Sequence, residues 1–164
     1  MSKIAPCLWF NGQAEEAAEF YTSILPDSRI ENVHRAAADN PSTPQGAVLT
    51  VVFTIGGVQF IGLNGGPDFQ FSEAISFSID CEDQAEVDRL WEQLIEGGGE
   101  HSVCGWLKDR YGVSWQVVPR RLTELLDAPD REGAARVMKA MLEMTKIDVA
   151  TLEEAYKGAP IAAG

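Results

Sequence analysis

One order of elements, strand then helix then strands joined by tight turns, runs twice through the first 119 residues. This repetition constrains the fold more than any other feature of the chain. Ile4 to Phe10 is short and apolar, broken by Pro6 and closed by Asn11-Gly12, and reads as a strand. Ala14, Ala17, Ala18, Tyr21 and Leu25 then recur at spacings of three and four. They predict an amphipathic helix over Gln13 to Ile24, with Glu15, Glu16 and Glu19 on the wet side and Pro26-Asp27 as its stop. Strands follow over Arg29 to Arg35, Ala47 to Ile55 and Val58 to Leu63. A loop from Ala36 to Gln45 separates the first two, and Gly56-Gly57 makes a hairpin turn between the others.

The second pass reads Ala74 to Cys81 as a strand, with Ile75, Phe77 and Ile79 alternating against Ser76, Ser78 and Asp80. A helix over Gln84 to Ile95 follows, closed by Gly97-Gly98-Gly99. Strands at Val103 to Leu107 and Val113 to Val118 flank a turn at Asp109 to Gly112. The two passes also share residues: Gln13-Ala14-Glu15 opens the first helix and Gln84-Ala85-Glu86 the second. Gly57-Val58-Gln59-Phe60 is similar to Gly112-Val113-Ser114-Trp115. From Arg120 to Tyr156 the pattern turns helical, with breaks at Ala128-Pro129 and near Lys146 to Asp148. Leu122, Leu125 and Leu126 form one apolar stripe; Ala135, Val137, Met138, Met141, Leu142 and Met144 form a second. Packing on the sheet or on a partner subunit is the expected use of these stripes, and a Met-rich binding surface is the alternative.

Composition narrows the function. A net charge of −12 argues against nucleic acid, which demands clustered Lys and Arg, and against anionic membrane surfaces. No apolar run approaches the roughly 18 residues of a membrane span, and the N-terminus lacks a signal-peptide core. Three cysteines, Cys7, Cys81 and Cys104, without CxxC spacing, predict reduced thiols in a cytoplasmic protein.

Several segments resemble the vicinal-oxygen-chelate superfamily: Leu8-Trp9-Phe10-Asn11-Gly12, Glu19-Phe20-Tyr21, Gly62-Leu63-Asn64-Gly65-Gly66-Pro67, Glu73-Ala74-Ile75-Ser76-Phe77, Cys104-Gly105-Trp106-Leu107-Lys108-Asp109 and Gly112-Val113-Ser114-Trp115-Gln116-Val117-Val118-Pro119. Within that superfamily, which unites glyoxalase, bleomycin-resistance and dihydroxybiphenyl-dioxygenase-like folds, they resemble the PhnB-like group labelled 3-demethylubiquinone-9 3-methyltransferase. The resemblance implies an α+β fold: paired βαβββ modules in a curved, mainly antiparallel eight-stranded sheet. The modules would span about 1–67 and 68–119 of a 1–119 domain, with 120–164 a helical C-terminal extension. It also implies a homodimer.

Metalloenzymes of this superfamily hold one divalent ion with His, Glu or Gln from four strands, so that the cation stabilises negative charge on substrate oxygens. The positions matching those ligands are about Ala5, Ile61, Ala74 and Gln116, and only Gln116 carries a donor side chain. No catalytic metal and no other cofactor are therefore expected. His34 and His101 are assigned to a peripheral strand and a turn. The methyltransferase label asks for a Gly-rich loop opening a helix, and neither Gly56-Gly57 nor Gly97-Gly98-Gly99 does so.

Strand alternation nominates the pocket face. Leu8 and Phe10 turn to the helices and leave Ala5, Cys7 and Trp9; Val58 and Phe60 leave Gln59, Ile61 and Leu63. Ile75, Phe77 and Ile79 leave Ala74, Ser76 and Ser78, while Trp115 and Val117 leave Ser114, Gln116 and Val118. The candidate ligand-binding residues are Cys7, Trp9, Gln59, Ile61, Ser76, Ser78, Trp106 and Gln116. Each keeps an ordinary reading beside it: a bonded amide for Gln116, core packing for Trp9 and Trp106, a wet sheet face for Ser76 and Ser78. Inert thiols are expected at Cys7 and Cys104, turn geometry with local hydrogen bonds at Asn64, and a hairpin built around Asp109. The leading expectation is a metal-independent protein that binds a small, partly apolar molecule. The alternatives are a glyoxalase- or dioxygenase-type metalloenzyme, the labelled methyltransferase, or a structural dimer without a pocket.

Overall fold

A computed structural model of the protein describes residues 2–158; Met1 and the end of the expected C-terminal extension, 159–164, lie outside the described residues. The chain divides into two compact units between Phe71 and Ser72. The fold is α+β, and among the described residues eight strands are hydrogen-bonded as two four-stranded mixed sheets.

The first unit holds β1 (Cys7–Phe10), α1 (Ala14–Ile24), β2 (Arg29–Arg35), β3 (Val48–Ile55) and β4 (Val58–Asn64). Its strand order is β1-β4-β3-β2, with β1 parallel to β4 and the other pairs antiparallel. The β3–β4 hairpin is tight because Gly56 and Gly57 both take positive φ, which L side chains resist and a type I′ turn requires. Ala14, Ala17, Ala18, Tyr21 and Ile24 form the buried face of α1, as the spacing predicts. Tyr21 stacks on Phe53 at 6.2 Å, and Phe53 on Phe60 at 5.7 Å, so the core lies between the helix and β3–β4. Gln13 provides no side-chain cap to this helix. Asn64, at the far end of β4, accepts from the Ala14 N–H at 2.9 Å instead, and donates to Val48 O at 2.9 Å. The local turn bonds expected of its side chain are thus replaced by contacts distant in sequence.

The second unit holds β5 (Ser76–Cys81), α2 (Gln84–Gln93), β6 (Glu100–His101), β7 (Trp106–Lys108), β8 (Ser114–Pro119), α3 (Arg120–Leu126), α4 (Arg131–Leu142) and α5 (Val149–Lys157). Its order, β5-β8-β7-β6 with β5 parallel to β8, repeats the pattern of the first unit. Two expectations are corrected here. His101, assigned to a turn, belongs to the two-residue strand β6, which pairs with β7. The strand expected from Val103 starts only at Trp106, because Cys104 (φ 56°) and Gly105 (φ 81°) are left-handed. Their N–H groups turn away from the sheet and donate to Met144 O and Thr145 O, each at 2.8 Å.

That turn helps hold the C-terminal helices in place. Gln84, at the start of α2, completes the grip: its Nε2 donates to Ile147 O at 3.0 Å and its Oε1 accepts from Val149 N at 2.8 Å. Asp130 and Asp148 cap α4 and α5 through Gly133 N and Thr151 N. Leu122, Leu125, Val137, Ala140, Ile147, Leu152 and Ala155 form a buried cluster, with Val118 of β8 against it. The second expected stripe divides: Val137 is buried and Met141 and Met144 half-buried, while Ala135, Met138 and Leu142 are exposed, Leu142 by 59%. Helical periodicity sets the line through 134, 137, 141 and 144 inward, and puts 135, 138 and 142 on the other side. A Cβ at Gly105 would sit 3.0 Å from both Ile147 Cγ1 and Val117 O. Gly105→Ala should therefore cost about 1–3 kcal/mol of stability, measured as a fall in urea midpoint at unchanged m.

Candidate functional site

Each sheet has one face against α1 or α2 and one turned away from that helix. The alternation of burial follows the sequence pattern, except that Val118, expected on the pocket face, packs on the C-terminal helical cluster. In the first unit Leu8, Phe10 and Phe60 are buried, whereas Trp9, Gln59 and Ile61 are half-buried and Cys7 is exposed. The parallel register sets Cys7 beside Ile61, and the antiparallel register sets Ile61 beside Val52 and Gln59 beside Thr54. Val58, expected on the helix side, is 53% exposed because it sits at the hairpin turn. Gln59, Ile61, Val52, Thr54, Glu31 and His34 line an open groove of 1140 Å³. Three of its polar groups are paired with one another: Thr54 Oγ1 donates to Glu31 at 2.7 Å, and Arg29 pairs with the same carboxylate at 2.8 Å. The Thr54 hydrogen bond, with help from Arg29, holds the Glu31 carboxyl below the usual carboxylate range.

Trp9 is engaged by its own unit. Its indole N–H donates to Gly66 O at 2.9 Å and its ring meets Phe69 edge-on at 4.8 Å. Cys7 is exposed, yet partial shielding of its sulfur pushes the thiol up. Cys81 is buried, and desolvation, with Glu86 and Asp80 nearby, pushes it up to about 12. Iodoacetamide at pH 8 should therefore label Cys7 in the folded protein and spare Cys81 until denaturant is added, as read by peptide mass spectrometry.

The second unit presents the more complete site. On the face of its sheet away from α2, register places Ser76, Ser114, Lys108 and Glu100 in one row across β5, β8, β7 and β6. Ser78, Gln116 and Trp106 make the next row. Four candidates, Ser76, Ser78, Gln116 and Trp106, are thus neighbours on one face. Gln116 Nε2 donates to Ser76 Oγ at 2.9 Å, so part of its amide is already spoken for. Ile75, expected to face the helices, is 70% exposed because the turn at Glu73–Ile75 precedes β5.

A cavity of 460 Å³ opens over this face, within the size range of small-molecule sites. Glu73, Glu100, Ser102, Trp106, Lys108 and Ser114 supply its chemistry. Lys108 pairs with Glu73, and that hydrogen bond keeps the ammonium above its ordinary range and the carboxylate below its own. Ser114 is 1% exposed, and among the described residues its hydroxyl has no hydrogen-bond partner. His101 also borders the cavity, but its ring stacks on Trp91 at 4.3 Å and its Nε2 lies 3.0 Å from Trp91 O. Of these residues, sequence reasoning named Trp106 and placed Ser114 on the pocket face without selecting it. Lys108 was legible, since it stands two residues from Trp106 on the same strand. Glu73 was not, because it reaches the site from a turn.

The four positions matching the superfamily's metal ligands do not fit a divalent ion. Ala5, Ile61 and Ala74 carry no side-chain donor, and the Gln116 amide oxygen alone is too few donors to hold the ion. Among the described residues, no three His, Cys, Asp or Glu side chains are grouped as metal ligands would be. No helix among them is long and apolar enough to cross a membrane.

The family model for 3-demethylubiquinone-9 3-methyltransferase matches residues 2–118. No curated protein matches the chain. Among solved structures, the chain is similar to a Bacillus cereus PhnB protein described as a 3-demethylubiquinone-9 3-methyltransferase. The two share 33% identity at a TM-score of 0.65, over 72% of this chain and 99% of that one. The protein PA1353 from Pseudomonas aeruginosa shares the fold at 23% identity and a TM-score of 0.54, over 73% of this chain and 98% of that one. Repeated βαβββ units, the family match and the likeness to PhnB agree: the chain belongs to the 3-demethylubiquinone-9 3-methyltransferase family, the PhnB-like group of the vicinal-oxygen-chelate superfamily.

Proposed function

We propose that this chain is a PhnB-like protein that binds a small, partly apolar molecule, and does so without the superfamily's catalytic metal. The observation that carries the reading is the 460 Å³ cavity of the second unit, with Trp106 and the buried, unpartnered Ser114 hydroxyl on its wall. The donor-poor set Ala5, Ile61, Ala74 and Gln116 supports the metal-free part. Within this reading residues 1–119 form the ligand-binding domain, residues 120–164 are its extension, and the protein is a cytoplasmic homodimer. Exposed Ile4, Val103 and Leu142 supply apolar area that a dimer could cover.

Native mass spectrometry of protein taken directly from cells, with metal analysis of the same sample, tests the proposal. A retained organic molecule without stoichiometric metal is expected. A stoichiometric Ni, Mn, Fe or Zn ion would favour a glyoxalase- or dioxygenase-type enzyme and end the metal-free reading. The family's name supports a second reading, methyl transfer to a demethylubiquinone, and product formation with that substrate and a methyl donor would establish it.

A further inference from the structure

Native proteins leave few buried polar groups unpaired, and each such group calls for a physical reason. Ser114 is one, and it lines a cavity. Its cross-strand neighbour Lys108 carries three N–H donors and engages Glu73, which leaves further donor capacity on the same ammonium. Two hydrogen-bond donors therefore stand side by side on adjacent strands, with the Trp106 ring in the next row.

The charges around them select the ligand. Lys108 repels a cation. Glu73 and Glu100 flank Lys108, one through the ion pair and one through the β6–β7 register, and they repel an anion. A neutral acceptor avoids both costs. We propose that this cavity binds a planar, uncharged carbonyl compound, whose oxygen accepts from Ser114 Oγ–H and Lys108 Nζ–H while its flat apolar part lies along Trp106. The inference rests on the small-molecule-binding reading above and names the ligand class for that site. In the ion pair with Glu73, Lys108 is a charged hydrogen-bond donor, and that is the role it plays toward the carbonyl oxygen.

Benzamide, benzoate and benzylammonium are aromatic probes of similar size that differ in charge. In titrations of the full chain followed by ¹H–¹⁵N NMR, benzamide should shift the Ser114 amide and the Trp106 indole N–H saturably. The two charged probes should bind at least about fivefold more weakly, since like charges in the cavity oppose them. Ser114→Ala should raise Tm, because it deletes an unpaired buried hydroxyl, and yet weaken benzamide by about three- to tenfold. Lys108→Met should weaken it in the same direction. The proposal is overturned if benzamide leaves both signals unmoved, if benzoate or benzylammonium binds as tightly, or if Ser114→Ala binds benzamide like the parent. A retained cellular molecule in native mass spectrometry together with a silent benzamide titration would sink the ligand class and leave the binding-protein reading standing. Saturable benzamide binding with no molecule retained from cells supports the ligand class, while the reading of a ligand carried in the cell falls.

Discussion

Asp109→Ala should lower the stability of this protein by about 3–5 kcal/mol, the sum of three donors left without their acceptor in a buried site. Asp109 is 3% exposed. Its Oδ1 accepts from Tyr111 N at 2.8 Å and Val113 N at 3.0 Å, and its Oδ2 accepts from Trp115 Nε1 at 2.9 Å. Its main chain also closes the turn, with Asp109 N donating to Val113 O and Gly112 N donating to Asp109 O, each at 2.9 Å. One carboxylate thus sets both the β7–β8 turn and the rotamer of Trp115, whose ring packs on Phe77 at 5.4 Å. Asn at this position retains an oxygen for the two backbone donors but aims an NH₂ at the indole N–H, so Asp109→Asn should lose about half as much. Urea unfolding followed by tryptophan fluorescence measures both. A loss below about 1 kcal/mol for Asp109→Ala would show that water replaces the carboxylate, and the account above would be wrong.

The second large effect falls in the other unit. Asn64→Ala should cost about 2–4 kcal/mol, because it orphans the first donor of α1 and the Val48 carbonyl together. The Asn64 main-chain oxygen, which accepts from Ser42 Oγ at 2.9 Å and Thr43 Oγ1 at 3.2 Å, remains in place, so the loss reports the side chain. Asn64→Asp retains an acceptor at the positive end of the helix and loses only the donor to Val48. It should fall between the parent and Asn64→Ala. Hydrogen exchange at the Ala14 amide separates the two contacts: fast exchange is expected in Asn64→Ala and protection in Asn64→Asp. Equal stability of the two variants would mean that the Val48 bond alone matters.

Both residues show why parts of this protein could be read in advance and others could not. For Asp109 the expected role was right, because a turn between two strands is a local event and its acceptor serves donors two to six residues away. Asn64 also sits before glycines, which invites a turn reading, but its side chain serves residues 50 and 16 positions away. Strand β6 has two residues and no periodicity of its own; it exists because β7 offers an unpaired edge. Cys104-Gly105 lies in an apolar run that resembles a strand start, and the Met144 and Thr145 carbonyls pull it out of the sheet.

The site divides in the same way. Period-two alternation put Ser76, Ser78, Ser114 and Gln116 on one face before any coordinates, since a strand has no other way to dispose successive side chains. Alternation says nothing about which of them finds a partner. Register sets Ser76 beside Ser114, yet the Ser76 hydroxyl accepts from the longer Gln116 side chain one row away, and among the described residues the Ser114 hydroxyl has no hydrogen-bond partner. The approach of Glu73 to Lys108 joins a turn to a strand 35 positions further along the chain, the difference between their residue numbers. By itself the sequence determined the order of the elements, the buried face of α1, the strand faces and the scarcity of metal donors, all of which depend on neighbours within a few residues or on composition. The tertiary structure alone decided which polar groups are satisfied, because each needs a second group whose distance in space has no trace in the spacing along the chain.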